Sequence, residues 1–155
     1  MKQRFRIIDD GVLSNCVASI LTRKQAGEIV NVIITDKDET RSQAQNRLYW
    51  QWVHILADKN GWSDDEMHLY LKRKFLALIL AKDDGEMLET IESLKVAKNH
   101  LPPSHYERLA RNVADGIRSS RVNTKQFTEY LNSIEQWAYL QGVALPVPDD
   151  LRWAR

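Results

Sequence analysis

The chain has 155 residues, enough for one domain with a real core and too few for two. Lys plus Arg total 22 and Asp plus Glu total 21, a formal charge of +1, so a uniformly basic coat is excluded and any polyanion surface must be local. One cysteine, Cys16, excludes an internal disulfide framework and a thiolate-built zinc site, while the longest apolar run, Phe75 to Ala81, falls far short of the roughly 20 residues that span a bilayer.

Lys2 to Ile8 alternates, with Lys2, Arg4 and Arg6 on one face and Gln3, Phe5 and Ile7 on the other, which predicts a half-buried strand. Leu13, Cys16, Val17, Ile20 and Leu21 then recur at helical spacing. After Gly27, the β-branched stretch Ile29 to Thr35 predicts a second strand. Beyond it the chain reads as helical. Ser42 with Gln45, Ser63 with Glu66 and Ser104 with Glu107 each fit a capping box, in which the two side chains satisfy backbone N–H groups at a helix start. Helices are predicted from about Gln43 to Lys59, Asp64 to Ala81, Glu86 to Lys98 and Ser104 to near Gly116. The last helix is the plainest: Phe127, Tyr130, Leu131, Ile134, Trp137 and Ala138 form one apolar stripe between a cap at Asn123 and a stop at Gly142. Pro146 and Pro148 then lead an extended tail, residues 146–155.

Charge is sorted along the chain although it cancels overall. Asp83, Asp84, Glu86, Glu89 and Glu92 form an acidic block, whereas Lys95 to Lys125 holds seven basic residues against two acidic ones. Arg118, Arg121 and Lys125 close that basic stretch; Lys72-Arg73-Lys74 and the Lys2/Arg4/Arg6 face add two smaller patches. Each run alone reads as a solvated face, but three patches in a near-neutral chain point weakly to a polyanion partner.

His54, His68, His100 and His105 form no metal signature, and no glycine-rich phosphate loop or nucleophile elbow is present. No cofactor and no catalysis are expected. Three of the five tryptophans, Trp50, Trp52 and Trp62, lie within thirteen residues. Trp52 shares a buried stripe with Leu48, Ile55 and Leu56, but Trp50 falls on the opposite, polar face with Gln43, Asn46, Arg47 and His54. An indole among these groups suits single-stranded nucleic acid, where it stacks on a base while guanidinium and amides meet phosphate and base edges. It equally suits packing on another element or a second subunit, the reading periodicity alone slightly favours.

The segment Arg41-Ser42-Gln43-Ala44-Gln45-Asn46-Arg47-Leu48-Tyr49-Trp50, set within Val30 to Leu56, resembles the R-S-x-x-Q-N-R-x-x-W segment of the NinB (Orf) family of phage recombination mediators. Ser119-Ser120-Arg121, leading into Asn123 to Leu131, is similar to that family's S-x-R segment before its C-terminal amphipathic helix. Between about Leu80 and Ile117 the chain is longer than the family pattern and reads as helix where the family has strand. The resemblance implies a dimeric, non-enzymatic protein that binds single-stranded DNA and works with host single-strand-binding protein to load a recombinase or annealing protein. It implies DNA contacts at Gln45, Asn46, Arg47 and Trp50, and at Arg121. Gln45 also stands at the third position of the Ser42 capping box, where it would serve the helix instead.

The resulting expectation is a single α+β domain over residues 1–155: a small N-terminal β-α-β sheet unit covered by helices, with the long C-terminal helix closing the core. Phosphate contacts are expected from Arg4, Arg6, Arg118, Arg121 and Lys125 beside the Arg47 and Trp50 face. The protein is expected to be a cytoplasmic homodimer with no membrane segment and no metal. Two rivals remain: a magnesium-dependent nuclease or junction resolvase using Asp64, Asp65, Asp83 or Asp84, and a protein adaptor docking through the Trp50 face.

Overall fold

A computed structural model describes residues 3–35, 39–118 and 121–155. The central element is a helix, α2 (Arg41–Asn60), because apolar residues recur on it in adjacent pairs every four positions. Ala44, Leu48, Tyr49, Trp52, Val53, Leu56 and Ala57 are all buried along one broad face. Trp52 is fully buried, and its indole N–H finds the partner such burial demands by donating to the Pro146 carbonyl at 2.7 Å. At Gly61 the backbone turns left-handed, φ 67°, which ends the helix where a side chain would be strained.

Next, α3 (Asp64–Leu71), a π-helical stretch (Lys72–Leu76) and α4 (Ala77–Ala81) follow one another without a break, as the predicted Asp64 to Ala81 helix requires. The Ser63–Glu66 capping box is present at its start. α5 (Gly85–His100) is capped by Asp84, and α6 (Pro103–Asp115) begins on a proline. α7 (Thr124–Leu140) carries the Asn123–Gln126 capping box and lays Tyr130, Leu131, Ile134 and Ala138 into the core, with Phe127 and Trp137 packed at its margin. A 3-10 helix (Asp149–Ala154) ends the chain; its Leu151 and Ala154 are fully buried. The predicted extended tail is therefore a docked element, held by two apolar anchors.

The expected α+β fold is overturned. Among the described residues there are seven α-helices and no strand, hence no β-α-β sheet unit. Only the middle of that unit, helix α1 (Asp10–Gln25), is present. Residues 3–8 and Ile29 to Thr35 form no strand, and Lys2 lies outside the described residues. The physical reason is that alternation and β-branching describe what fits a pleated, half-buried surface. This chain offers these segments none: Ile29, Ile33 and Ile34 are more than 80% exposed, and α1 buries no side chain.

Two helix starts also differ. α2 is capped by Thr40, whose Oγ1 accepts from the Gln43 N–H at 3.2 Å while Gln43 Oε1 accepts from the Thr40 N–H at 3.1 Å. Thr-Arg-Ser-Gln fits the same spacing rule as Ser-Gln-Ala-Gln, and the upstream pair wins because Gln45 is drawn into the core instead. α6 has no side-chain cap at all. Pro103 at the first helical position removes one of the N–H groups otherwise left unpaired there, and Glu107 pairs with Arg73.

Candidate nucleic-acid interface

Trp50 lies on the flank of α2, next to the buried Tyr49. Its ring stacks on His68 of α3, centroids 4.7 Å apart and planes inclined by 33°, and meets the Tyr49 edge at 5.5 Å. It nevertheless stays 38% exposed. The indole is thus neither loose nor buried: it is a preformed aromatic step at the surface.

The support beneath it is a chain of hydrogen bonds. His68 Nδ1 and the Tyr49 hydroxyl are 2.6 Å apart, and the Tyr49 and Tyr130 hydroxyls are 3.1 Å apart. Burial pushes both phenols well above their ordinary range, so both keep their protons. All three groups are then satisfied when Tyr130 donates to Tyr49 and Tyr49 donates to an unprotonated Nδ1. His68 fits this role. Burial, aided by the nearby Lys72 ammonium, pushes it down to about 4 against the opposing pull of Asp65 and Asp115. Lys72 is itself largely buried, and burial pulls its ammonium below the ordinary value, opposed by Asp115. At neutral pH the Trp50 step therefore rests on an uncharged imidazole.

A pH dependence follows. His68 binds a proton at about 4 when folded but at about 6.5 when unfolded, so the unfolded chain takes up a proton first as pH falls. The contribution of the uncharged His68 to stability is full above pH 6.5 and is lost between there and about pH 4. Urea titrations of wild type and His68→Phe at pH 7 and pH 4.5 should show the variant losing less, by about 1–2 kcal/mol after allowing for solvent screening. Equal losses would mean that His68 titrates normally.

The predicted contact residues separate into three groups. Asn46 is exposed one turn before Trp50, and Arg118 and Lys125 are exposed with no carboxylate partner among the described residues. Tyr49 packs edge-on against Phe127, and Gln45 bonds to Thr124 and Thr128, so the start of α7, with Lys125, adjoins this flank of α2. Asp115, which acts on His68 and Lys72, brings the end of α6 close as well, three residues before Arg118.

Gln45 and Arg47 are used otherwise than expected. Gln45 is buried, its Nε2 donating to the Thr128 hydroxyl at 2.7 Å and the Thr124 carbonyl at 3.3 Å, while its Oε1 lacks a partner. It ties α2 to α7 and neither caps the helix nor reaches the surface. The Arg47 side chain is only 9% exposed and lies between two carboxylates, with Glu39 at 2.9 Å and Asp150 at 3.0 Å. Burial works against its charge, yet these two neighbours outweigh that and hold it firmly protonated. Four of its five guanidinium N–H groups are engaged in this way and the side chain is nearly covered, so it is not presented to a phosphate.

Arg121 is half exposed but pairs with Asp84 at 3.1 Å, and Ser119 and Ser120 of its motif lie outside the described residues. Arg4 and Arg6 belong to the segment before α1, where each engages a neighbour; the Ser19 hydroxyl donates to Gln3 at 2.6 Å in the same segment. Nothing in the sequence marks His68, Tyr49 and Tyr130 as one cluster. Their separations of 19 and 81 positions leave no periodic signal that joins them.

Three of the four aspartates of the nuclease rival have partners within the fold, and Asp65 lies in the first turn of α3. Asp64 faces His54 Nδ1 at 3.2 Å, Asp83 accepts from Gln126 at 3.0 Å, and Asp84 caps α5 besides pairing with Arg121. Among the described residues no three His, Cys, Asp or Glu side chains gather into a metal-holding group. No helix among them is long and apolar enough to cross a membrane. Comparison with protein-family models, curated proteins and solved structures returned no match.

Proposed function

We propose that this protein binds single-stranded DNA without turning it over and acts as a recombination mediator, helping to load a recombinase or annealing protein on strands coated with single-strand-binding protein. The observation that carries the binding reading is Trp50: a surface indole held on an uncharged His68, with Asn46 beside it and two exposed cations nearby, Lys125 on α7 and Arg118 just past α6, that have no carboxylate partner among the described residues. Aromatic steps flanked by cations bind single strands because every base has a stackable face and every phosphate a charge. The mediator role is inferred from the resemblance of Arg41 to Trp50 to the NinB (Orf) segment, and the bacterial cytoplasm is the proposed place of action.

A homodimer belongs to the same reading. The N-terminal arm carries Ile29, Val32, Ile33 and Ile34 as an exposed row and a helix with no fully buried residue, on which Leu13, Val17 and Leu21 are about half exposed. Exposed apolar surface of this kind calls for a partner, and a second copy is the one proposed.

Fluorescence anisotropy with labelled oligonucleotides at rising salt tests the function. Single strands should bind more tightly than duplex, with a log–log salt slope of about −0.7 per phosphate contact. A flat salt response, or cleavage of the oligonucleotide in magnesium, would overturn the reading. Light scattering on the same samples should give twice the 18.0 kDa chain mass.

A further inference from the structure

Away from Trp50, a groove of about 380 Å³ runs between the α3–α4 rod, α5 and α6. This is within the size range of small-ligand sites, roughly 300–1,000 Å³. Its floor is aliphatic: Ala77, Ile91, Ala110, Val113 and Ile117. The alanines create it, since they keep the helices from filling the space between them. Leu78 lies along it and is half exposed.

The rim has the opposite character. Arg73, Lys74 and Lys95 stand over the groove with Tyr70 and Tyr106. Arg73 is held by Glu107, but Lys74 and Lys95 have no carboxylate within ion-pair distance among the described residues. The Lys74 ammonium instead lies over Tyr70 at 5.6 Å and Trp137 at 5.9 Å, a loose site that a carboxylate would improve. Arg73 and Lys74 come from the π-helical stretch, an irregularity that recurs at functional sites because it re-aims side chains.

We propose that this groove docks a short acidic peptide segment of another protein, with large apolar side chains on the alanine floor and carboxylates against Lys74 and Lys95. Charge complementarity selects the occupant. A nucleic-acid strand would need free stacking planes along its path; the floor is aliphatic, and of the two rim tyrosines Tyr70 is already packed against Trp62 and Trp137. The chain's own acidic and apolar segment, Asp149–Ala154, is already docked elsewhere, with Leu151 fully buried. Apolar anchors within a charged rim are the usual division of labour at peptide-binding surfaces: the anchors hold, and the charges steer and select. The inference stands apart from the DNA reading, because none of its residues belongs to the Trp50 cluster.

The test is anisotropy of the full-length protein with a fluorescein-labelled peptide that alternates aspartate with leucine and ends on phenylalanine. Wild type should bind it saturably. Lys95→Glu and Leu78→Ser, both at exposed positions, should each weaken binding by about fivefold or more while the melting temperature and single-strand affinity stay put. Peptides with asparagine for aspartate, or serine for leucine, should bind worse. Absence of saturable binding, indifference to both substitutions, or equal binding of the asparagine peptide would overturn the proposal. So would saturation of the groove by laurate with no competition from the peptide, which would make it a fatty-acid site, or displacement of the peptide by an oligonucleotide on the same residues.

Discussion

Arg47→Ala should lower the free energy of unfolding by about 2–4 kcal/mol and leave the salt slope of DNA binding unchanged. Removing one member of a buried ion pair typically costs about 3–5 kcal/mol, because the partner is left charged and unsatisfied. Here two partners are left, Glu39 with its side chain 11% exposed and Asp150 with 33%, and the partial access of water to Asp150 places the effect toward the lower end. The damage should spread to the chain end, since Asp150 lies in the first turn of the 3-10 helix whose Leu151 and Ala154 fill the core beside α2. Arg47→Lys should recover only part of the loss: a single ammonium cannot reproduce the forked bonds, two to Glu39 and two to Asp150. Urea denaturation of the three proteins, with salt titrations alongside, checks the assignment. Wild-type stability together with a salt slope reduced by one contact would instead make Arg47 a phosphate ligand.

That result bears on what a sequence makes legible. α2, α3 and α7 are visible beforehand because their signals are local: apolar residues at helical spacing, an Asn123 or Ser63 cap three positions before its partner, a glycine where the backbone must turn left-handed. The N-terminal strand signals are equally plain, and they are wrong for this chain. Period-two alternation around Phe5 and Ile7, and the run from Ile29 to Thr35, report a preference for a pleated surface without reporting who supplies the other edge.

The candidate site divides in the same way. Trp50 stood out because an indole on the polar face of a predicted helix breaks a local pattern. Arg47 looked identical by that criterion, yet its environment is made by Glu39 and by Asp150, 103 positions away. Gln45 looked like half of a capping box and is instead a buried tie to Thr128, 83 positions away. Periodicity names the face of a helix; it does not say which other element covers that face.

Trp50→Ala should weaken single-strand binding by about 1–3 kcal/mol, the cost of removing one stacked base, with the salt slope kept because no phosphate contact is lost. Its effect on stability should be smaller, on the order of 1 kcal/mol, since the ring contributes packing to His68 and Tyr49 but stays 38% exposed. Trp50→Phe should retain much of the affinity, as a smaller aromatic face in the same place. His68→Phe should also retain it at neutral pH, because a phenyl ring can carry the indole as an uncharged imidazole does. This pattern distinguishes a stacking platform from a packing residue. A packing residue would show the reverse order, with the melting temperature falling, or dimers dissociating, before affinity changed. Light scattering and thermal melts on Trp50→Ala decide between the two, and loss of fold or assembly at unchanged affinity per folded molecule would remove Trp50 from the interface.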